Sequence, residues 1–423
     1  MATQDKDKIS LRDAISIGIG GMVGGGIFAV LGLSVDLTRG GAPAAFLFAG
    51  VIALATSYAY ARLSLTFPGS GGTVSFINQA FGKNIFSGGL NNLLWVSYII
   101  MLSLYATAFS SYAPNLLSIT GNLTADKHIY ATLIILIAAG INYYSISVVG
   151  KIESYAVLIK LIILVAFTGV GAWGLMGNAS VSQLAFSEWK GPIGMITGGM
   201  VIFVAYEGFE LIANASPNII NPAKNIPRSY YISVGFVIVL YILIAIITVG
   251  SLPFSEIARA KDYALAEAAK PMLGQTGFTV ITIAALISTF SAINASLYGG
   301  SRVSYELALD DEDPHELTKY LWNEPVGLVI TTVLTILLVN TVDLENIATS
   351  GSVGFLLIFA FVNLAAFKLS GEIKARRIIT FIAFLLCLAA MSVLILQQFQ
   401  TNTVGILIAL GIILFCFAGE TVF

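Results

Sequence analysis

Long apolar runs separated by short polar or Gly/Pro-containing breaks recur from one end of the chain to the other. Each run is long enough to cross hydrocarbon as a helix, and there are about twelve of them. The expected spans are residues 11–36, 43–66, 86–116, 129–147, 151–175, 193–217, 227–250, 275–307, 325–341, 346–368, 377–397 and 403–419. Little sequence is left over, so 1–423 reads as a single all-α integral membrane domain. Residues 254–272 carry alanines and charges in a helical rather than a coil pattern, which predicts a surface helix capping one side of the bundle. Residues 69–81 are too short and too Gly-rich to span, and either re-enter the bundle or lie at its inner surface.

Two of the spans carry breaks at membrane depth. Residues 18–26 hold six glycines in nine positions, ending in Gly24-Gly25-Gly26-Ile27-Phe28. Such a stretch either packs closely through small residues, as in the pairs Gly20/Gly24 and Gly21/Gly25, or unwinds and offers free N–H and C=O groups to a polar solute. The sixth span decides between these readings, because Phe203-Val204-Ala205-Tyr206-Glu207-Gly208-Phe209-Glu210 again sets a glycine, with two acids, inside an apolar run. Paired discontinuous helices are the mark of a transporter whose site lies between two halves. Half-helix N-termini attract a carboxylate, and freed carbonyls attract an ammonium, so the pair suits a zwitterionic amino acid.

Lys160 is a lone cation in the fifth span. It lies about 13 Å along that helix at 1.5 Å per residue, close to mid-membrane and hard to reach from an interface by snorkelling. An ionisable group at that depth marks a proton or substrate pathway, and burial penalises its charged form enough to make the proton exchangeable. Glu207 and Glu210, three apart, are intramembrane acids that either serve proton movement or bind backbone freed by the break.

Composition narrows the classes. The chain has 423 residues, 57% hydrophobic and 10% charged, with a net charge of -2. There is no basic cluster of the size nucleic acid requires. Cys387 and Cys416 fall in apolar spans and His128 and His315 in loops, which gives no metal-ligand spacing and no cofactor signature. The two acids lack any accompanying nucleophile or metal motif, so an enzyme is not expected. Nor does a continuous polar stripe or a repeated filter loop point to a channel. With the N-terminus in the cytoplasm, fourteen of the 21 Lys and Arg residues fall on the inner side, as the positive-inside rule requires. The expected setting is a cell membrane, with multiple passes.

The two breaks, together with Asn221-Pro222-Ala223-Lys224-Asn225-Ile226-Pro227-Arg228 and the stretch from Gly300 to Ala308, resemble motifs of the amino acid-polyamine-organocation (APC) transporters over nearly the full length. The likeness is greatest to their proton-coupled, broad-specificity prokaryotic amino acid members. It implies the leucine-transporter fold, a 5+5 inverted repeat at 1–175 and 193–368, with two additional helices at 377–419. It also implies that the substrate carboxylate meets N–H groups around Gly25, Gly26 and Ile27, with Gly24 among the substrate-binding residues. The ammonium would meet carbonyls near Met22 and Val23 and from Ala205 through Tyr206 to Glu207, with Tyr206 lining or gating the cavity. In the members most similar to this chain a lysine replaces the sodium ion of sodium-coupled relatives; Lys160 falls on that place, beside the Gly20 backbone and the Ser288 hydroxyl. Glu210 is a second proton-coupling candidate on its own account, as an acid within a span. Two positions depart from the pattern: Glu207, where an apolar residue is frequent, and Pro217, where many members have an acid. The resulting expectation is amino acid import by proton symport through alternating access. The rivals are an amino acid/amine exchanger or a sodium-coupled carrier.

Overall fold

The computed structural model describes residues 8–69, 71–144, 146–176, 179–309, 320–321 and 324–421; His315 lies outside them. The molecule is nearly all helix. A two-residue ladder of Tyr320–Leu321 against Glu324–Pro325 is the one named strand pair among the described residues.

The first span is two helices, α1 (Leu11–Met22) and α2 (Gly26–Thr38), bent by 46° at the glycine break. Ser10 starts α1 through a capping box with Asp13, which satisfies two of the N–H groups that a helix start leaves unpaired. Next come α3 (Ala42–Thr66), the short α4 (Gly72–Phe81) and α5 (Ile85–Tyr112), the last opened by a capping box of Asn84 and Ser87. α6 (Leu123–Tyr144) starts six residues before the expected 129, and α7 (Ile146–Gly174) follows it.

The sixth span is α8 (Pro192–Val201), a 3₁₀ turn at Phe203–Tyr206 and the short α9 (Leu211–Ala215), with a bend of 52°. α10 (Pro222–Ser251) and α11 (Phe254–Arg259) lead to α12 (Ala264–Leu309), which breaks at Gly274 with φ 59°. Helical structure therefore does occupy 254–272, as α11, a turn at Lys261–Tyr263 and the first part of α12. α13 (Val326–Thr341), α14 (Leu344–Lys368), α15 (Arg377–Thr401) and α16 (Thr403–Glu420) complete the chain.

Among the described residues, nine helices are long and apolar enough to cross a membrane, or eleven if each bent pair forms one span. The sixteen-residue α13 is apolar but shorter. Their arrangement puts α5 and α14 at the centre, with 78% of their apolar windows buried, and α16 at the rim with 22%. α3 packs along α10, and α12 along α5 and α7. Leu414 and Phe415 on α16 and Ile378 on α15 point outward, as lipid-facing side chains should. α4 buries Val74, Phe76 and Ile77 against α5, α9 and α14, anchored by a 2.8 Å hydrogen bond between Tyr60 and Thr73. It is a wedge within the bundle rather than a span.

Candidate functional site

The break in the first span leaves carbonyls that an unbroken helix would pair four residues on. Three side chains from three helices meet them. Lys160 Nζ on α7 donates to Gly20 O at 2.9 Å, and Tyr241 Oη on α10 donates to Met22 O at 2.7 Å. Ser288 Oγ on α12 faces Val23 O at 2.9 Å and Gly24 O at 2.5 Å. Lys160 and Ser288 are fully buried. In hydrocarbon each unpaired carbonyl costs several kcal/mol, on the order of the water-to-hydrocarbon transfer of an amide, so these donors are what lets the break exist.

The sixth span is held open in the same way. Ser352 on α14 takes the Val204 N–H at 3.1 Å and donates to Val201 O at 2.8 Å. Tyr241 also lies 3.2 Å from Ala205 O, so one hydroxyl serves both breaks. Gly208 has φ 113°, and Glu210 Oε2 accepts its N–H at 2.8 Å. The two breaks touch directly: a Cβ on Gly21 would lie 2.6 Å from Gly208 O, and one on Gly26 would lie 2.8 Å from Ala205 Cα. Bare glycine is the only residue that permits this approach.

Below the contact lies a cavity of about 610 Å³. Its mouth is formed by Arg12, Asp13 and Ser16 on the N-terminal side, and its inner end by Gly20, Gly21, Tyr105, Glu207, Gly208 and Ala292. Glu207 is buried to 3% exposure and accepts the Tyr105 hydroxyl at 3.2 Å. Glu210 is buried beside it, close enough for the two carboxyls to interact, and its Oε1 has no hydrogen-bond partner.

Of the residues that the sequence pointed to, Gly20 and Glu207 line this cavity. Met22, Val23, Gly24, Gly25, Gly26 and Ile27 are buried and do not line it. The ring of Tyr105 lies over Gly25, Ala205 over Gly26, and the carbonyls of Met22, Val23, Gly24 and Ala205 already accept from Tyr241 or Ser288. Tyr206 turns away from the cavity: its hydroxyl donates to Phe46 O on α3 at 2.8 Å and its ring packs on Tyr241. The cause is the 3₁₀ turn, whose 3.0 residues per turn rotate Tyr206 out of the register that an α-helix would give it. Tyr105 and Tyr241 are not marked out by the sequence because each is one of many aromatic residues within long apolar spans; the available signal is a hydroxyl in mid-span that needs an acceptor.

The opposite end of α2 is closed. Lys261 reaches Asp36 Oδ2 at 2.8 Å and Glu345 Oε2 at 3.5 Å, tying the turn before α12 to α2 and α14. Lys127 on α6 pairs with Asp262 at 2.6 Å, and the Lys261 backbone packs directly on Gly32.

A cavity that ends between two broken helices of a multi-pass bundle is the architecture of a membrane transporter. The family model described as amino acid permease matches residues 9–418. The chain belongs to that family, within the APC superfamily of transporters of amino acids and other organic substrates. It is 36% identical to an uncharacterized protein of Methanocaldococcus jannaschii over 93% of this chain and 90% of that one. It is 33% identical to the inner membrane transport protein YbaT of Escherichia coli, covering 87% and 85%. It is 27% identical to the branched-chain amino acid permease BcaP of Lactococcus lactis, covering 86% and 83%.

Proposed function

We propose that this permease imports amino acids by proton symport, with Lys160 taking the place of a coupling metal ion. The observation that carries the reading is the buried Lys160 ammonium on Gly20 O, at the break of the first span and on a residue that lines the cavity. Protonated, Lys160 holds α7 against the freed carbonyl of α1 as a bound cation would. Neutral, it has a weaker donor and releases α1, which lets the cavity change sides. Glu210, on the other break, is the second proton-coupling group, and Ser288 and Gly20 complete the set. The first ten-helix part comprises two inverted repeats, 1–175 and 193–368, that move relative to each other, with 377–419 added outside them. The protein lies in the cell membrane with its N-terminus in the cytoplasm, so the cavity, open at Arg12 and Asp13, faces inward.

The substrate carboxylate belongs at the N-terminus of α2, whose first turn has no side-chain cap. Its N–H groups at Gly26 and Ile27 become available when the Tyr105 ring leaves Gly25. Wild-type protein in proteoliposomes, given an inward proton gradient, is expected to accumulate an L-amino acid against its concentration gradient. Accumulation that follows a sodium gradient, or that needs a counter-substrate and ignores pH, would overturn proton symport.

A further inference from the structure

We propose that the side-chain carboxyl of Glu207 is the anchor for the substrate's ammonium group. The inference rests on the amino acid reading above and goes beyond it by moving the ammonium from freed backbone to a side chain. Five of the backbone acceptors at the two breaks are taken. Met22 O and Ala205 O share the Tyr241 hydroxyl, Val23 O and Gly24 O face Ser288, and Gly20 O holds Lys160. Carbonyl oxygens have a second lone pair, but Met22, Val23 and Ala205 are at most 1% exposed and none of them lines the cavity.

Glu207 lines it. A carboxylate offers about four acceptor sites; this one receives the Tyr105 hydroxyl at 3.2 Å, long for an O–H donor to a carboxylate, and otherwise meets, among the described residues, only the Glu210 carboxyl. Among the described residues neither Glu207 nor Glu210 makes an ion pair. Glu210 spends Oε2 on the Gly208 N–H and leaves Oε1 unpaired in the interior. Two adjoining carboxyls with spare acceptors and no ion pair among the described residues, at the closed end of a cavity of small-molecule size, form a receptor for a cation. The cation that an amino acid supplies is its ammonium. The anchor also ranks substrates: a compound that lacks a protonated amine leaves the pair without its counter-charge and binds poorly.

The test uses the full-length protein in nanodiscs, with the twenty common L-amino acids and, for each that binds, the 2-hydroxy acid in which a hydroxyl replaces the ammonium. Wild type is expected to bind at least one amino acid, and its hydroxy acid at least tenfold more weakly. In Glu207→Gln the amino acid loses at least tenfold in affinity, while the hydroxy acid changes by less than threefold. Glu207→Asp, which keeps the charge one methylene shorter, stays within about tenfold of wild type and shows that charge rather than packing is read. Equal losses in Glu207→Asp and Glu207→Gln, or wild-type affinity in Glu207→Gln, overturn the anchor. A wild type that binds no amino acid overturns the functional reading itself, and so the two failures are distinct.

Discussion

The hydroxyl of Tyr241 donates to the carbonyl of Met22 at 2.7 Å. The same oxygen sits 3.2 Å from Ala205 O, so a single side chain on α10 staples the break of the first span to that of the sixth. Tyr241→Phe removes the donor and strands both carbonyls in the interior. The cost of a buried unsatisfied acceptor is about 1–3 kcal/mol, and we expect the apparent Tm in detergent to fall by a few degrees. An unchanged Tm would mean that another donor, or water, takes over.

Gly208 makes a sharper demand. With φ 113° and the Gly21 backbone directly over the place where a Cβ would stand, Gly208→Ala combines strain with overlap. Strain of this kind alone is worth roughly 1–3 kcal/mol. Transport should be lost in Gly208→Ala and in Gly21→Ala, whereas Gly411→Ala on the outer α16, where a Cβ meets nothing within 4 Å, should match wild type. Equal uptake by all three proteins would argue against direct contact of the two breaks during the cycle.

Lys261 predicts an opening equilibrium. Its pairs with Asp36 and Glu345 are partly exposed, with 29% of the Lys261 side chain accessible, and such pairs contribute about 0–1 kcal/mol each. Lys261→Ala should therefore loosen the closed end of α2 by a few-fold rather than abolish closure. A single cysteine at Phe28, buried beneath this end, would then react several-fold faster with a membrane-impermeant thiol reagent. High salt should produce part of the same effect in the parent protein by screening the pairs. The native cysteines, Cys387 and Cys416, are buried and would contribute little background. A labelling rate that responds to neither change would rule out an electrostatic latch.

Where charge and glycine meet hydrocarbon the sequence is legible, because both carry a large penalty there. Lys160, the glycines at 18–26 and Gly208 stand out for that reason: the first span bends within 18–26, and Gly208 takes φ 113°. What the sequence hides is rotation and polarity carried by tyrosine. Helix periodicity cannot be continued through a 3₁₀ turn, so the facing of Tyr206 was not readable from its neighbours. Tyr105 and Tyr241 look like apolar filler until their hydroxyls are seen on Glu207 and Met22. The early start of α6 was obscured by its polar first turn, Thr124-Ala125-Asp126-Lys127, which reads as loop; Asn122 caps it through the N–H groups of Thr124 and Ala125.

Lys160→Met separates a proton switch from a fixed structural cation. Methionine approximates the length of the lysine stem without the charge, so the substitution removes the burial cost of an ammonium while leaving Gly20 O unpaired. These effects oppose one another, and the variant should fold with an apparent Tm near that of wild type. Its α1 is no longer held by a titratable group, so the cavity can still change sides but the movement is no longer tied to protonation. The expected outcome is that Lys160→Met retains downhill amino acid counterflow in proteoliposomes at a rate within about tenfold of wild type. It should fail to concentrate the amino acid under an inward proton gradient. Uphill accumulation in the variant with unchanged pH dependence would place the coupling proton elsewhere, with Glu210 the first residue to examine. Loss of counterflow together with accumulation, in a protein that remains folded, would make the ammonium a fixed strut between α7 and α1.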